Sequence, residues 1–170
     1  MSSNLTPATM KIYQPKKREY QKVLLQKKKC FFCDLNIIQD QECTLFSFVY
    51  WRVLVNKYPY MDGNVMIVPK KHSISLSELS LKEWGEFPQV LLSVKKVLSK
   101  KFSTKSFNIG INIGEESGRS IDHLHWQIIP RKKKRYTVVS VLADIQVITI
   151  SPQELQEMLS KKKTPKKRGL

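Results

Sequence analysis

His123-Leu124-His125-Trp126-Gln127-Ile128-Ile129-Pro130-Arg131 places two of the chain's three histidines and a glutamine at every second position. Side chains alternate faces along a strand, so residues two apart stand on one face about 6.6–6.8 Å from each other. His123, His125 and Gln127 are therefore predicted to share a face, with Leu124, Trp126 and Ile128 forming an apolar opposite face. The segment reads as a half-buried strand presenting two imidazoles and an amide to a common site. The third histidine, His72, lies far back in sequence, but Cys30-Phe31-Phe32-Cys33 supplies two thiols at metal-ligand spacing. Two Cys with two His compose a tetrahedral zinc set, although a Cys-x-x-Cys pair alone reads as readily as redox-active or simply buried.

Moving outward, Phe107, Ile109, Ile111 and Ile113 alternate with Asn108, Gly110, Asn112 and Gly114. This predicts a second strand whose small, polar face walls the site. The loop Glu115-Glu116-Ser117-Gly118-Arg119-Ser120 joins the two strands. Upstream, Ser80-Leu81-Lys82-Glu83 has the spacing of a capping box and opens a helix with an apolar stripe of Trp84, Phe87, Leu91, Val94 and Leu98. Pro88 inside that stripe predicts a kink or a meeting of two helices, because it lacks a donor and clashes with the preceding turn. Thr44 to Trp51 and Arg52 to Asn56 are β-branched and aromatic. Pro59 and Asp62-Gly63 then interrupt them before Val65 to Val68 resumes, which predicts an antiparallel pair. Ser151-Pro152-Gln153-Glu154 starts a last helix of about ten residues. A short basic helix from Pro15 to Gln26 is expected ahead of the Cys pair.

Thirty Lys and Arg against fourteen Asp and Glu give a net charge of +16 over 170 residues. Polyanions are the partners that such a balance favours. The charge lies in runs, Lys16-Lys17-Arg18, Lys27-Lys28-Lys29, Arg131 to Arg135, Lys161-Lys162-Lys163 and Lys166-Lys167-Arg168, which read either as solvated surface or as a nucleic-acid contact. No apolar run approaches the roughly 18–20 residues that span a bilayer, and Met1 to Thr6 lacks the pattern of a secretory signal. Three cysteines, with Cys43 alone, fit a reducing compartment better than a disulfide framework. The expected location is the cytoplasm, with the nucleus as the alternative given the basic tail. The expected organisation is a polar arm over 1–15, one domain over 16–160 and a basic tail over 161–170.

The order Cys-x-x-Cys, then Asn56-x-x-Pro59-x-x-x-Gly63, Val68-Pro69-x-x-His72, Phe107-Asn108-Ile109-Gly110 and His123-x-His125-x-Gln127 resembles the histidine-triad superfamily of nucleotide hydrolases and transferases. The resemblance covers about residues 20–150 and is nearest the bacterial diadenosine-tetraphosphate phosphorylase-like members. More distantly the chain is similar to galactose-1-phosphate uridylyltransferase, which also has Gln at the third position of the motif. The resemblance implies an α+β fold, a mainly antiparallel sheet of five or so strands with one long helix packed on it and short terminal helices. It implies a structural zinc held by Cys30, Cys33, His72 and His123, which leaves His125 as the nucleophile toward the α-phosphorus of a nucleotide. The first histidine's backbone carbonyl would hold the His125 proton. Asn112, Gly118, Ser120 and Gln127 would contact phosphate and Asn56 the ribose, and family members pair as homodimers. Three departures stand out. Gln127 replaces the third histidine, Gly63-Asn64 replaces the usual Gly-His turn, and Trp126 is bulkier than the residue most often found there.

The function expected is nucleotidyl transfer from a dinucleoside polyphosphate or related nucleotide to phosphate or a phosphorylated acceptor, through a covalent nucleotidyl-histidine. The alternatives are a hydrolase removing nucleotidyl groups from small molecules or nucleic-acid 5′ ends, and a non-catalytic module binding nucleotide or nucleic acid. No membrane association is expected.

Overall fold

The computed structural model describes residues 30–117, 119–131 and 150–160. The predicted helix from Pro15 to Gln26, the polar arm, the tail from Lys161 and most of the basic runs lie outside them. The described residues form one antiparallel sheet in the order β1-β2-β4-β3. Its strands are β1 (Trp51–Val55), β2 (Val65–Pro69), β3 (Ser106–Ile111) and β4 (Trp126–Arg131). The register pairs Leu54 with Met66, Met66 with Gln127 and Gln127 with Gly110. The expected fifth strand is reduced, among the described residues, to a single bridge between Glu42 and Leu54 at the β1 edge. The fold is otherwise the expected α+β arrangement.

Alternation sends Trp51, Val53, Val55, Val65, Ile67, Trp126 and Ile128 to one face, where they pack with Val90, Val94, Leu98 and Phe102. Those four belong to α2 (Leu81–Phe102), the long helix, capped as the sequence predicts by Ser80 and Glu83. A fully buried side chain of this kind contributes about 1.5–3 kcal/mol. Burial of the stripe rather than helix preference therefore holds α2. The helix runs as one element through Pro88 and does not divide into two. Proline costs the helix one backbone donor and a clash with the preceding turn, and the capping box on one side and the buried Val90, Val94 and Leu98 on the other keep the chain helical across it. Trp126 explains its own bulk. Its ring meets Trp51 at 5.4 Å, Trp84 at 6.0 Å and Phe87 at 4.8 Å, an aromatic cluster between sheet and helix.

The segment Thr44 to Tyr50 is not a strand, although its composition reads as one. The backbone N–H groups of Val49 and Tyr50 donate to the Glu86 carboxylate of α2 at 2.8 and 2.7 Å, so they end on a side chain instead of a ladder. The carboxyl-terminal α3 (Pro152–Met158) has the expected Ser151 cap but seven residues, and buries Leu155 and Leu159 in the main core. The other face of the sheet carries a smaller cluster of Leu54, Met66 and Val68 with Phe31, Phe32 and Ile38. Here the Cys-x-x-Cys segment and a one-turn helix α1 (Leu35–Ile38) close over the sheet. This is the face to which Gln127 belongs.

Candidate metal centre and nucleotide site

β4 begins at Trp126, so His123 and His125 do not lie within a half-buried strand as expected. They occupy the irregular approach to it, and His123 and Leu124 to Trp126 are all buried. The reason is a second partner for this segment, since Leu124 N–H donates to the Ser73 carbonyl at 2.7 Å and ties it to the stretch following β2. That tie draws His72 and His123 together, with ring centroids 5.0 Å apart.

Cys30, Cys33, His72 and His123 converge so that one ligand atom from each lies within 4.8 Å of all the others. Cys30 Sγ is 3.3 Å and Cys33 Sγ 3.6 Å from His123 Nδ1, and Cys33 Sγ is 3.5 Å from His72 Nδ1. A tetrahedral shell with bonds of about 2.0–2.3 Å spaces its donors about 3.3–3.8 Å apart, so these distances fit a zinc ion. His123 Nε2 lies 3.0 Å from the Pro69 carbonyl and donates to it, which leaves Nδ1 with its lone pair toward the thiols. Burial, only partly offset by that bond, pushes His123 down to about 4, so the imidazole is in its ligand form. Burial pushes the Cys30 thiol up to about 11, with the neighbouring Cys33 adding to the rise. The convergence of two histidines on the pair, and not the thiols alone, is what favours the metal reading over a redox one.

His125 is buried beside this cluster, and its Nδ1 donates to the His123 carbonyl at 2.8 Å. The tautomer is thereby fixed and Nε2 carries the lone pair. Burial lowers its pKa and the charge of Arg119 lowers it further, against the hydrogen bond to His123, so the ring is neutral at pH 7. Phe32, from the middle of the Cys-x-x-Cys segment, lies against both rings, 5.6 Å from His123 and 5.4 Å from His125. Gln127 Oε1 accepts from Asn64 Nδ2 at 2.9 Å and Asn56 Nδ2 at 3.3 Å.

Asn56 is buried at the end of β1 and Asn112 is half-buried. Asn112 stands one residue past the pair Ile111↔Trp126, as His125 stands one residue before it on the other strand. Ser120 is exposed, and Gly118 lies outside the described residues. Two residues not singled out from the sequence, Phe32 and Arg119, belong to the site, as does Asn64, which stood out only as a departure from the Gly-His turn. Phe32 looked like filler between two cysteines. Arg119 looked like one cation among thirty, yet its side chain is only 11% exposed and pairs with Asp122 at 2.8 Å.

Residues 38–134, more than half of the chain, match the HIT domain family. The chain belongs to that family, the histidine-triad class that its motif resembles. It is 33% identical over 93 residues to a bis(5′-adenosyl)-triphosphatase of Saccharomyces cerevisiae, covering 54% of this chain and 45% of that one. It is 29% identical over 130 residues to an AP-4-A phosphorylase of Mycobacterium tuberculosis, covering 74% and 64% respectively. The chain thus spans about half to two thirds of these relatives' length. In structure it is similar to a zinc-bound histidine triad family protein of Mycobacterium smegmatis, with a TM-score of 0.59, 17% identity and coverage of 77% of this chain and 90% of that one. Among the described residues no helix is long and apolar enough to cross a membrane.

Proposed function

We propose that the protein is a nucleotidyl transferase acting on a dinucleoside polyphosphate or related nucleotide, with His125 as nucleophile. The observation that carries this reading is the 2.8 Å bond from His125 Nδ1 to the His123 carbonyl, which leaves a neutral imidazole with Nε2 free to attack. In the first step Nε2 donates its lone pair to the α-phosphorus. An N–P bond forms, the P–O bond to the remaining polyphosphate breaks, and that group leaves with the electron pair. In the second step an oxygen of an anionic acceptor attacks the same phosphorus, the N–P bond breaks, and the imidazole returns to its neutral form. With diadenosine tetraphosphate and phosphate the products are ATP and ADP; with water they are ATP and AMP.

Gln127 favours an acceptor over water. A histidine there could protonate a leaving group or activate water, whereas an amide remains neutral and offers only hydrogen bonds. Arg119 is a fixed cation near the nucleophile, suited to an incoming phosphate. Asn112, Ser120 and Gly118 are assigned to phosphate oxygens and Asn56 to the nucleotide, following the family pattern. Zinc, held by Cys30, Cys33, His72 and His123, is structural, because four protein ligands close its shell. It would fix the His123 carbonyl that orients His125. A homodimer, as in the family, a cytoplasmic location and nucleic-acid contact through the basic runs complete the proposal.

The test is product partition. With diadenosine tetraphosphate and excess phosphate, ADP should exceed AMP, and Gln127→His should shift the ratio toward AMP. AMP formation at one rate with and without phosphate would make the protein a hydrolase.

A further inference from the structure

Two of the departures from the family's motif touch each other. Asn64 stands where the Gly-His turn usually has its histidine, Gln127 stands in place of the third triad histidine, and Asn64 Nδ2 donates to Gln127 Oε1 at 2.9 Å. The direction of that bond follows from groups whose polarity is beyond choice. A backbone N–H only donates and a carbonyl only accepts, so an amide lodged between the two has one orientation. Tyr60 N–H lies 3.1 Å from Asn64 Oδ1, and Asn64 Nδ2 lies 3.2 Å from the Val65 carbonyl. The oxygen of Asn64 must therefore face Tyr60 and its nitrogen must face Val65 and Gln127. Tyr58 N–H, 2.9 Å from Asn56 Oδ1, orients Asn56 in the same way. The Asn56 nitrogen then faces Asn64 Oδ1 at 3.0 Å and Gln127 Oε1 at 3.3 Å. Two amide nitrogens thus converge on one side of Gln127, and only its oxygen can face them.

We propose that Asn64, assisted by Asn56, is a positioning residue that sets the flip of the Gln127 amide, so that its NH2 group and not its oxygen is presented to the substrate. The consequence is chemical. An NH2 group stabilises negative charge growing on phosphoryl oxygens during transfer, whereas an amide oxygen in that place would repel it. Asn64 is fully buried and Asn56 is 9% exposed, so the network is shielded from competing water. The three amides form one unit spanning the end of β1, the start of β2 and β4, and the Asn64 and Gln127 replacements are a matched pair. This inference rests on the reading of Gln127 as a phosphate-contacting residue.

The experiment is a double-mutant cycle on the zinc-loaded full chain. Asn64→Asp keeps an oxygen for Tyr60 N–H and Asn56 but turns the donor toward Gln127 into an acceptor, which favours the opposite flip. Turnover of diadenosine tetraphosphate with phosphate should lose about tenfold or more in kcat, with a much smaller change in KM, as for removal of a transition-state donor. In a Gln127→Ala background the same substitution should cost less than about twofold, since no amide remains to be turned. Equal losses in both backgrounds would overturn the proposal. Should the buried carboxylate prevent folding, Asn64→Ala takes its place in the cycle, with the same requirement that its effect depend on Gln127. A readout independent of turnover is the Gln127 side-chain NH2 resonance, identified by its loss in Gln127→Ala. In Asn64→Asp it should move downfield as it bonds the new carboxylate, and an unmoved resonance would also overturn the proposal. A parent protein that turns over no nucleotide while the resonance moves would sink the transferase reading and leave the orientation intact.

Discussion

At His125 a backbone carbonyl, and not an acidic side chain, holds the ring's proton, so the tautomer of the proposed nucleophile depends on where His123 is anchored. His123 is anchored twice, by Nε2 to Pro69 and by Nδ1 among the thiols, so under the proposed function a zinc bound there would act on the chemistry by fixing a carbonyl. The matching question for the second substrate is what meets the acceptor. Arg119 is the fixed cation, and its present partner Asp122, 79% exposed, is the kind of carboxylate that an incoming phosphate can displace. A charge-assisted hydrogen bond is worth about 1.5–3 kcal/mol. Arg119→Ala should accordingly raise KM for phosphate by about tenfold or more, while AMP formation by water in the absence of phosphate changes little. Steady-state kinetics with phosphate as the varied substrate checks this. An equal loss in both product channels would place Arg119 on the nucleotide instead.

The turn between β1 and β2 carries Asn64 into the site, and a glycine makes that turn. Gly63 has φ +79°, and a Cβ there would lie 2.6 Å from both the Phe102 ring and Pro130 Cγ. Left-handed backbone costs an L-residue about 1–2 kcal/mol and overpacking about 1–3 kcal/mol, so Gly63→Ala should destabilise by about 2–5 kcal/mol. Gly85, inside α2 with nothing near its would-be Cβ, is the control. Gly85→Ala should stabilise by about 0.5–1 kcal/mol. Urea midpoints decide both, and equal midpoints for the two variants would contradict the packing described. The same contrast shows what could be read from the sequence. The caps of α2 and α3 were legible because a capping box is complete within four residues, and the α2 stripe because its period is local. The segment from Thr44 to Tyr50 misled because its backbone donors end on Glu86, nearly forty residues away. Arg119 and Phe32 were not legible, and Asn64 only as a departure from the Gly-His turn, because their roles arise from contacts between segments, where a residue's type gives no sign of its partner.

At the scale of the whole molecule, Cys30, Cys33, His72 and His123 join the segment before α1 to the end of β2 and the approach to β4, so the proposed zinc would couple metal binding to folding. Elemental analysis should find one zinc per chain. Cys30→Ser should lose it and melt well below the parent, and a variant that melts with the parent would assign the thiols to some other use. The charge of +16 adds a background attraction for anions that local geometry must turn into selectivity. All of this serves one proposed event, the transfer of a nucleotidyl group onto His125. Intact-protein mass after brief exposure to diadenosine tetraphosphate without phosphate, quenched in alkali where a phosphoramidate survives, measures it directly. A gain of one adenylyl group is expected, removed by adding phosphate and absent in His125→Ala. Turnover without any adduct, or an adduct that persists in His125→Ala, would contradict the account.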